Sequence, residues 1–290
     1  MTFSPSFKFF AGVDSDGCVF PTMELKHKEC FIPEFIRFFN LQSVSSIARE
    51  TWEFVNLYSI DRGINRFPAL LKTLELLSKR PVFIESGIKL PILDDIRDFV
   101  CSGKPLSNAG LKEFMKEKRS NVLENLLMWS EAVNESVDRM VKNIYPFKSA
   151  VKVLEKLSQF CDIMVVSGTP TAALEKEWTE HNLKRFVKLI CGQEAGSKKD
   201  HLINHAKGRY AEKNILMIGD APQDHKAAQS INAFFFPINP GKEEESWKKI
   251  LNEGIDRFTN NSLDDLFQQS LLEDFYSYLP EKPSFETVNS

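Results

Sequence analysis

Five short stretches, apolar at most positions, punctuate the chain: 8–13 (KFFAGV), 162–166 (DIMVV), 187–191 (VKLIC), 214–218 (NILMI) and 233–236 (AFFF). Little clean apolar/polar alternation runs through them, so each predicts a strand covered on both faces, as in a parallel sheet. Helical spacing fills the intervals between the later strands. Phe147, Ala150, Val151, Leu154 and Leu157 form an i, i+3, i+4, i+7 stripe opened by Pro146, and 171–182, 198–209 and 222–230 also read as helices. Strands alternating with helices predict βαβ units around one sheet. About 130 residues between the first strand and the helix near 146 break the rhythm. They read as helical, with one stripe at Phe31, Phe35, Phe38 and Phe39, another at Leu70, Leu71, Leu74 and Leu77, and a third stretch at 121–142. An insertion of this size is expected to be a domain of its own. Two further helices are predicted after 240, the second starting at Ser262 with Asp265 as its capping partner. The resulting division is a core of 1–20 and 146–279, a helical domain of 21–145 and a flexible tail of 280–290.

Composition narrows the classes. With 37 Lys and Arg against 40 Asp and Glu, the net charge of −3 argues against a protein that coats nucleic acid. A hydrophobic share of 42% is enough to fill a core for 290 residues. No apolar run approaches the roughly 18 residues of a membrane span, and the apolar start, Phe9 to Val13, is cut short by Asp14, so neither a membrane segment nor a secretory signal is expected. The five cysteines at 18, 30, 101, 161 and 191 form no CxxC and predict reduced thiols in a cytoplasmic protein. Glycine-rich dinucleotide and P-loop motifs are absent, and the pattern assigns no oligomeric state.

Chemistry concentrates just beyond the predicted strands, at the edge where open α/β sheets bind ligands. The first strand runs into Asp14, Ser15, Asp16 and Gly17, two carboxylates at i and i+2. The second ends in Ser167, Gly168, Thr169 and Pro170, a hydroxyl ahead of a helix N-terminus whose N–H groups suit an anion. After the third come Ser197, Lys198 and Lys199. The fourth ends in Gly219, Asp220, Ala221, Pro222, Gln223 and Asp224, where Pro222 suits a first helical turn and sets Asp224 toward the same mouth as Asp220. Taken singly, Asp16-Gly17 is an ordinary turn, Ser167 an ordinary helix cap and the lysines a solvated pair. The order of all four segments, in register with four strands, is the informative feature.

That order, Asp-x-Asp, Ser, Lys, then Gly-Asp-x-x-x-Asp, resembles the haloacid dehalogenase-like (HAD) superfamily over about residues 8–20 and 146–260. The resemblance implies a Rossmann-like α/β core with a parallel sheet, and an inserted α-helical cap domain of the C1 type. It implies that Asp14 is a nucleophile forming an aspartyl-phosphate and Asp16 the general acid and base. Ser167, with Gly168 beside it, would hold phosphoryl oxygens. A lysine, Lys198 in preference to Lys199, would neutralise charge on the phosphate and on Asp14. Mg²⁺ would be held by Asp14, Asp220, Asp224 and the backbone carbonyl of Asp16, an all-oxygen set. Cys18 departs from the more usual Thr, and its sulfur beside Asp14 is a candidate either for oxidation or for packing.

The expected activity is that of a Mg²⁺-dependent phosphatase acting on a small phosphorylated metabolite, with no nucleic-acid or membrane partner. A phosphomutase of the same superfamily and a non-catalytic binding protein on the same fold are the alternatives; Asp16 and the metal pair disfavour a dehalogenase. In the cap, the loop of 59–68, framed by Gly63 and Pro68, carries Arg62, Asn65 and Arg66. These fit an anionic or hydroxyl-rich leaving group, or pin two cap helices together. Lys26 and His27 are weaker candidates of the same kind.

Overall fold

The computed structural model describes residues 4–285. The chain divides into two compact units, one of Met1–Met23 with Ile144–Pro280, the other of Glu24–Asn143 with Glu281–Ser290.

The first unit is built on a five-stranded sheet of β1 (Phe9–Val13), β2 (Cys161–Val166), β3 (Leu189–Cys191), β4 (Ile215–Gly219) and β5 (Phe234–Pro237). The order is β3-β2-β1-β4-β5 and all pairings are parallel. Side chains alternate between the two faces of a strand. Ala11, Val13, Ile163, Val165, Leu216 and Ile218 join one buried cluster with Val153, Leu157, Leu174 and Trp178. Phe10, Met164, Val166, Ile215 and Met217 join another with Leu202, Ala228 and Phe275. Apolar residues in successive positions are therefore required, and the short apolar runs of the sequence follow from that. Gly12 is tightly enclosed: a Cβ there would meet Met217 at 3.0 Å and Leu202 at 3.1 Å, so those side chains would have to give way by a few tenths of an ångström.

The second unit is helical. Its longer helices are Ile32–Phe38, Ser45–Leu57, Arg66–Leu77, Asp94–Cys101, Asn108–Glu117 and Asn121–Met140. Asn65, Ser107 and Ser120 cap three of them by accepting a backbone N–H. The helices enclose an aromatic core in which Trp52 and Trp129 meet edge to face at 6.0 Å and Phe67 and Phe99 at 5.1 Å. No helix of the described residues is long and apolar enough to cross a membrane.

Several boundaries differ from expectation. β3 starts at Leu189 rather than 187: the 3₁₀ turn Lys184–Phe186 precedes it, and pairing with β2 begins only where Leu189 stands opposite Met164. The last helix, Asp265–Ser277, is capped by Asp264, which accepts from Phe267 N, and not by Ser262. Pro68 does not frame a loop: it lies in the first turn of Arg66–Leu77, where its missing N–H costs nothing. Residues 281–285, expected to be part of a loose tail, pack on the helical unit through Phe285, whose ring sits 6.1 Å from Phe54 and 3.9 Å from the Arg80 guanidinium. The rest of that tail, 286–290, lies outside the described residues.

Candidate active site

Parallel register sets the site. Val13 is paired with Val165 on one side and with Ile218 on the other, so β1, β2 and β4 end at one edge. The sheet order reverses between β1 and β4, the position where open α/β sheets form a ligand crevice. Asp14 continues β1, its N–H donating to Ile218 O at 2.9 Å, and Ser167 continues β2, its N–H donating to Cys191 O at 3.1 Å. Asp220 directly follows β4.

Asp14, Asp220 and Asp224 are all buried, and one carboxylate oxygen from each lies within 4.8 Å of the other two. Asp224 sits on the helix Pro222–Gln229 and turns back to accept from Ala221 N at 3.1 Å. Gly219 makes that possible, since a Cβ there would stand 2.3 Å from the Asp224 carboxyl carbon. Lys198 joins the group, donating to Asp14 Oδ2 at 2.8 Å and to Asp224 Oδ1 at 2.7 Å. It is the first residue of the helix Lys198–His205, which a reciprocal capping box between Ser197 and Asp200 starts at that point. Lys199 is exposed. Between the two lysines, Lys198 is the one that meets the carboxylates.

Burial pushes the Asp14 carboxyl up to about 6, with the charge on Asp220 adding to the rise and Lys198 opposing it. Asp224 is pushed up to about 7 by burial, against Lys198 and with Asp14 adding. Burial works against the Lys198 ammonium, but the three carboxylates outweigh it and its pKa is raised. Three buried carboxylates facing one lysine leave an excess of negative charge that a divalent cation would balance. Donors that are all carboxylate oxygen suit a hard ion such as Mg²⁺, so the residues present fit that metal.

Asp16 lies apart from this trio. Its carboxylate accepts from Thr22 Oγ1 through one oxygen and from Thr169 Oγ1 through the other, the latter at 2.7 Å. Gly17, at φ +75°, turns the chain back so that its N–H reaches Phe20 O at 2.8 Å. Ser167 is buried and its Oγ accepts from Thr169 N at 3.2 Å, while the position of a Cβ on the exposed Gly168 has nothing within 4 Å. The helix Thr171–Glu180 begins just beyond, with Thr171 N and Oγ1 both donating to Glu194 Oε2 at 2.9 and 2.7 Å. Sequence reasoning did not single out Thr22 and Thr169, which meet Asp16, or Glu194, which meets Thr171. Thr169 lies in the Ser-Gly-Thr-Pro segment that follows β2, and only the fold brings its hydroxyl to Asp16.

Cys18 is fully buried with its Sγ 3.8 Å from Ile218 O. Burial, reinforced by the charges of Asp14, Asp220 and Asp224, raises its thiol well above the usual range. It is held as the thiol rather than the reactive thiolate, which favours packing over oxidation.

The three candidates of the helical unit have partners inside that unit. Arg62 is buried and donates to Leu57 O at 2.8 Å. Asn65 caps its helix through Oδ1 and donates to Leu106 O at 2.8 Å. Arg66 lies 5.1 Å from the Phe31 ring and donates to Ser130 O, Ser130 Oγ and Asn134 Oδ1 at 3.1, 3.1 and 2.7 Å. His27 accepts from Trp52 Nε1 at 3.0 Å and stacks on Phe31.

The family model described as "Haloacid dehalogenase-like hydrolase" matches residues 82–238, just over half of the chain. The span contains Ser167, Lys198, Asp220 and Asp224 and begins after Asp14 and Asp16. No curated protein matches this sequence. Solved structures with similarity include a provisionally assigned phosphoglycolate phosphatase from Lactobacillus delbrueckii subsp. bulgaricus, 13% identical over 80% of this chain and 87% of that one, with a TM-score of 0.47. A haloacid dehalogenase-like family hydrolase from Streptococcus pneumoniae is 15% identical over 83% and 90%, with a TM-score of 0.41. A provisionally assigned HAD hydrolase from Bacillus subtilis, described as bound to magnesium, is 16% identical over 83% and 88%, with a TM-score of 0.42. At these identities and scores it is the family model, not the structural neighbours, that defines the relationship.

Proposed function

We propose, since this chain belongs to the haloacid dehalogenase-like hydrolase family, that it is a Mg²⁺-dependent phosphatase acting on a small phosphorylated metabolite. The observation that carries the reading is the convergence of Asp14, Asp220 and Asp224 on one point, with Lys198 bridging Asp14 and Asp224. Asp14 attacks phosphorus through a carboxylate oxygen, and the bond to the leaving-group oxygen breaks as Asp16 gives that oxygen a proton. Asp16 then takes a proton from water as the water oxygen attacks the aspartyl-phosphate and frees Asp14. Ser167 and the N–H groups around Gly168 hold the phosphoryl oxygens, and Lys198 offsets the charge gathered at Asp14. Asp14, Asp220 and Asp224 would hold Mg²⁺ together with the carbonyl of Asp16. The bound ion would neutralise the approach of a dianionic phosphate to these carboxylates.

The helical unit, inserted in the chain after the first carboxylate pair, we read as a C1 cap. For Arg62, Asn65 and Arg66 their internal hydrogen bonds favour pinning of the cap helices over direct contact with substrate. Replacing them is then expected to lower stability and to affect all substrates alike.

The test is a panel of phosphorylated metabolites assayed for released phosphate with Mg²⁺ and with EDTA. Release in Mg²⁺, abolished by EDTA and reduced by at least about 10³-fold in Asp14→Asn, is the expected result. Isomerised sugar phosphate without net phosphate release would make the protein a phosphomutase. Equal inactivity of wild type and Asp14→Asn across the panel would refute catalysis at this site.

A further inference from the structure

We infer, resting on the phosphatase reading above, that Ser15 is a positioning residue: together with Trp178 it anchors the turn that carries Asp14 and Asp16 to the helix Thr171–Glu180. Ser15 stands between the two carboxylates and is fully buried. A buried hydroxyl needs partners. Its Oγ accepts from Trp178 Nε1 at 3.0 Å and approaches Glu177 Oε2, as donor, at 3.4 Å. Asp14, in contrast, is held by Lys198 of a different helix. The two neighbours in sequence are therefore gripped by different elements.

The backbone of Ser15 is equally committed. Its N–H donates to Asp14 Oδ1 at 2.8 Å, which orients the proposed nucleophile. Its carbonyl accepts from the N–H groups of Cys18, Val19 and Phe20 at 3.3, 2.9 and 3.1 Å, closing the turn that holds Asp16 and Gly17. Trp178, fully buried, also packs edge-on against Phe20 at 6.0 Å. It thus holds the turn at its first residue by a hydrogen bond and at its last by ring contact. The helix that carries Trp178 starts beyond Ser167 and Gly168, so this link ties the carboxylate turn to the element placed to hold the phosphoryl group.

In-line attack is sensitive to such placement: a shift of about 1 Å in a reacting group can cost about 10²-fold in rate. Loosening the anchor is expected to lower kcat and spare KM, because the substrate contacts themselves are untouched. The variants are Ser15→Ala, Trp178→Phe and the pair combined. Trp178→Phe keeps a ring against Phe20 and loses the N–H, so it serves if Ser15→Ala folds poorly. Ser149→Ala is the control, as it removes another buried serine hydrogen bond, Oγ to Glu244 Oε1 at 2.6 Å, outside the site. Each protein is assayed with p-nitrophenyl phosphate and Mg²⁺, and the adduct of beryllofluoride on Asp14 is followed by fluorine NMR.

The expected result is a fall in kcat of about 10-fold or more in each site variant at unchanged KM, with a shifted or weakened adduct signal. The double variant should be no worse than the poorer single one, since both break one link. Ser149→Ala should lose thermal stability and keep its kcat. The inference is overturned if wild type turns over and forms the adduct while the site variants stay within about twofold of it in kcat. It is also overturned if the two losses multiply, or if Ser149→Ala loses as much activity as they do. A wild type with neither turnover nor adduct would overturn the phosphatase reading, and this inference with it.

Discussion

Asp14 and Asp224 carry protons at a pH where an ordinary aspartate has lost its own, and burial is the main cause. The sign of the consequence follows from linkage. An unfolded aspartate ionises near about 3.9, below the folded values of about 6 and about 7. Without metal, the contribution of these groups to stability is therefore full below the unfolded value and is lost as pH rises through the folded ones. A divalent cation bound to the carboxylates reverses that loss, and it competes with protons on the acid side. Added Mg²⁺ should accordingly raise the melting temperature more at about pH 8 than at about pH 5.5. Thermal denaturation at the two pH values, with and without the ion, checks this. A shift of the same size at both would place the ion elsewhere than on these carboxylates.

The helix Lys198–His205 shows how one element delivers one functional atom. Its capping box fixes the first helical residue: Asp200 Oδ2 accepts from Ser197 N at 2.9 Å and from Ser197 Oγ at 2.6 Å. Lys198 is therefore held at the start of the helix and Lys199 is turned out to solvent. Asp200→Ala should lower the unfolding free energy by removing one half of the capping box. It should also lower kcat several-fold by freeing the start of the helix, and Asp200→Asn, which keeps an acceptor oxygen, should recover much of both. Denaturant titration and steady-state kinetics would show it, and an unchanged kcat in Asp200→Ala would mean that the cap does not hold Lys198 in place. The same helix marks how far local reasoning reaches. Strand positions were legible because a sheet covered on both faces demands uninterrupted apolar runs, and the order of motifs was legible because each follows such a run. The choice between adjacent lysines needed the position of the cap, and Ser197 with Asp200 was a readable signal for it. The last helix shows the opposite case, since Ser262 and Asp264 are both good capping residues and only the path of the chain selects Asp264. Thr22 and Thr169 left no signal, because their value lies in meeting Asp16 across the fold.

At the scale of the whole molecule, the helical unit contains two stretches of chain, Glu24–Asn143 and the C-terminal residues from Glu281. The second was illegible in the sequence because a charged, proline-containing end has no local reason to be ordered. Its described part, 281–285, is ordered by tertiary partners. Pro283 is buried, and Phe285 lies edge-on to Phe54 and against the Arg80 guanidinium. Arg80 is itself fixed by Glu50 at 2.6 Å, so the cation is already held in place for the ring. An aromatic pair contributes about 0.5–1.5 kcal/mol and an exposed cation–π contact about 0.5–1 kcal/mol. Phe285→Ala should then destabilise the helical unit by about 1–2 kcal/mol, and a chain ending at Pro280 should lose at least as much. The loss should appear in hydrogen exchange as faster exchange in the helices Ser45–Leu57 and Arg66–Leu77, with the sheet of the first unit unchanged. If the shortened chain exchanges like the full one throughout, these contacts contribute nothing to the unit's stability. If the sheet loosens as well, the C-terminal segment supports the whole molecule rather than the helical unit alone.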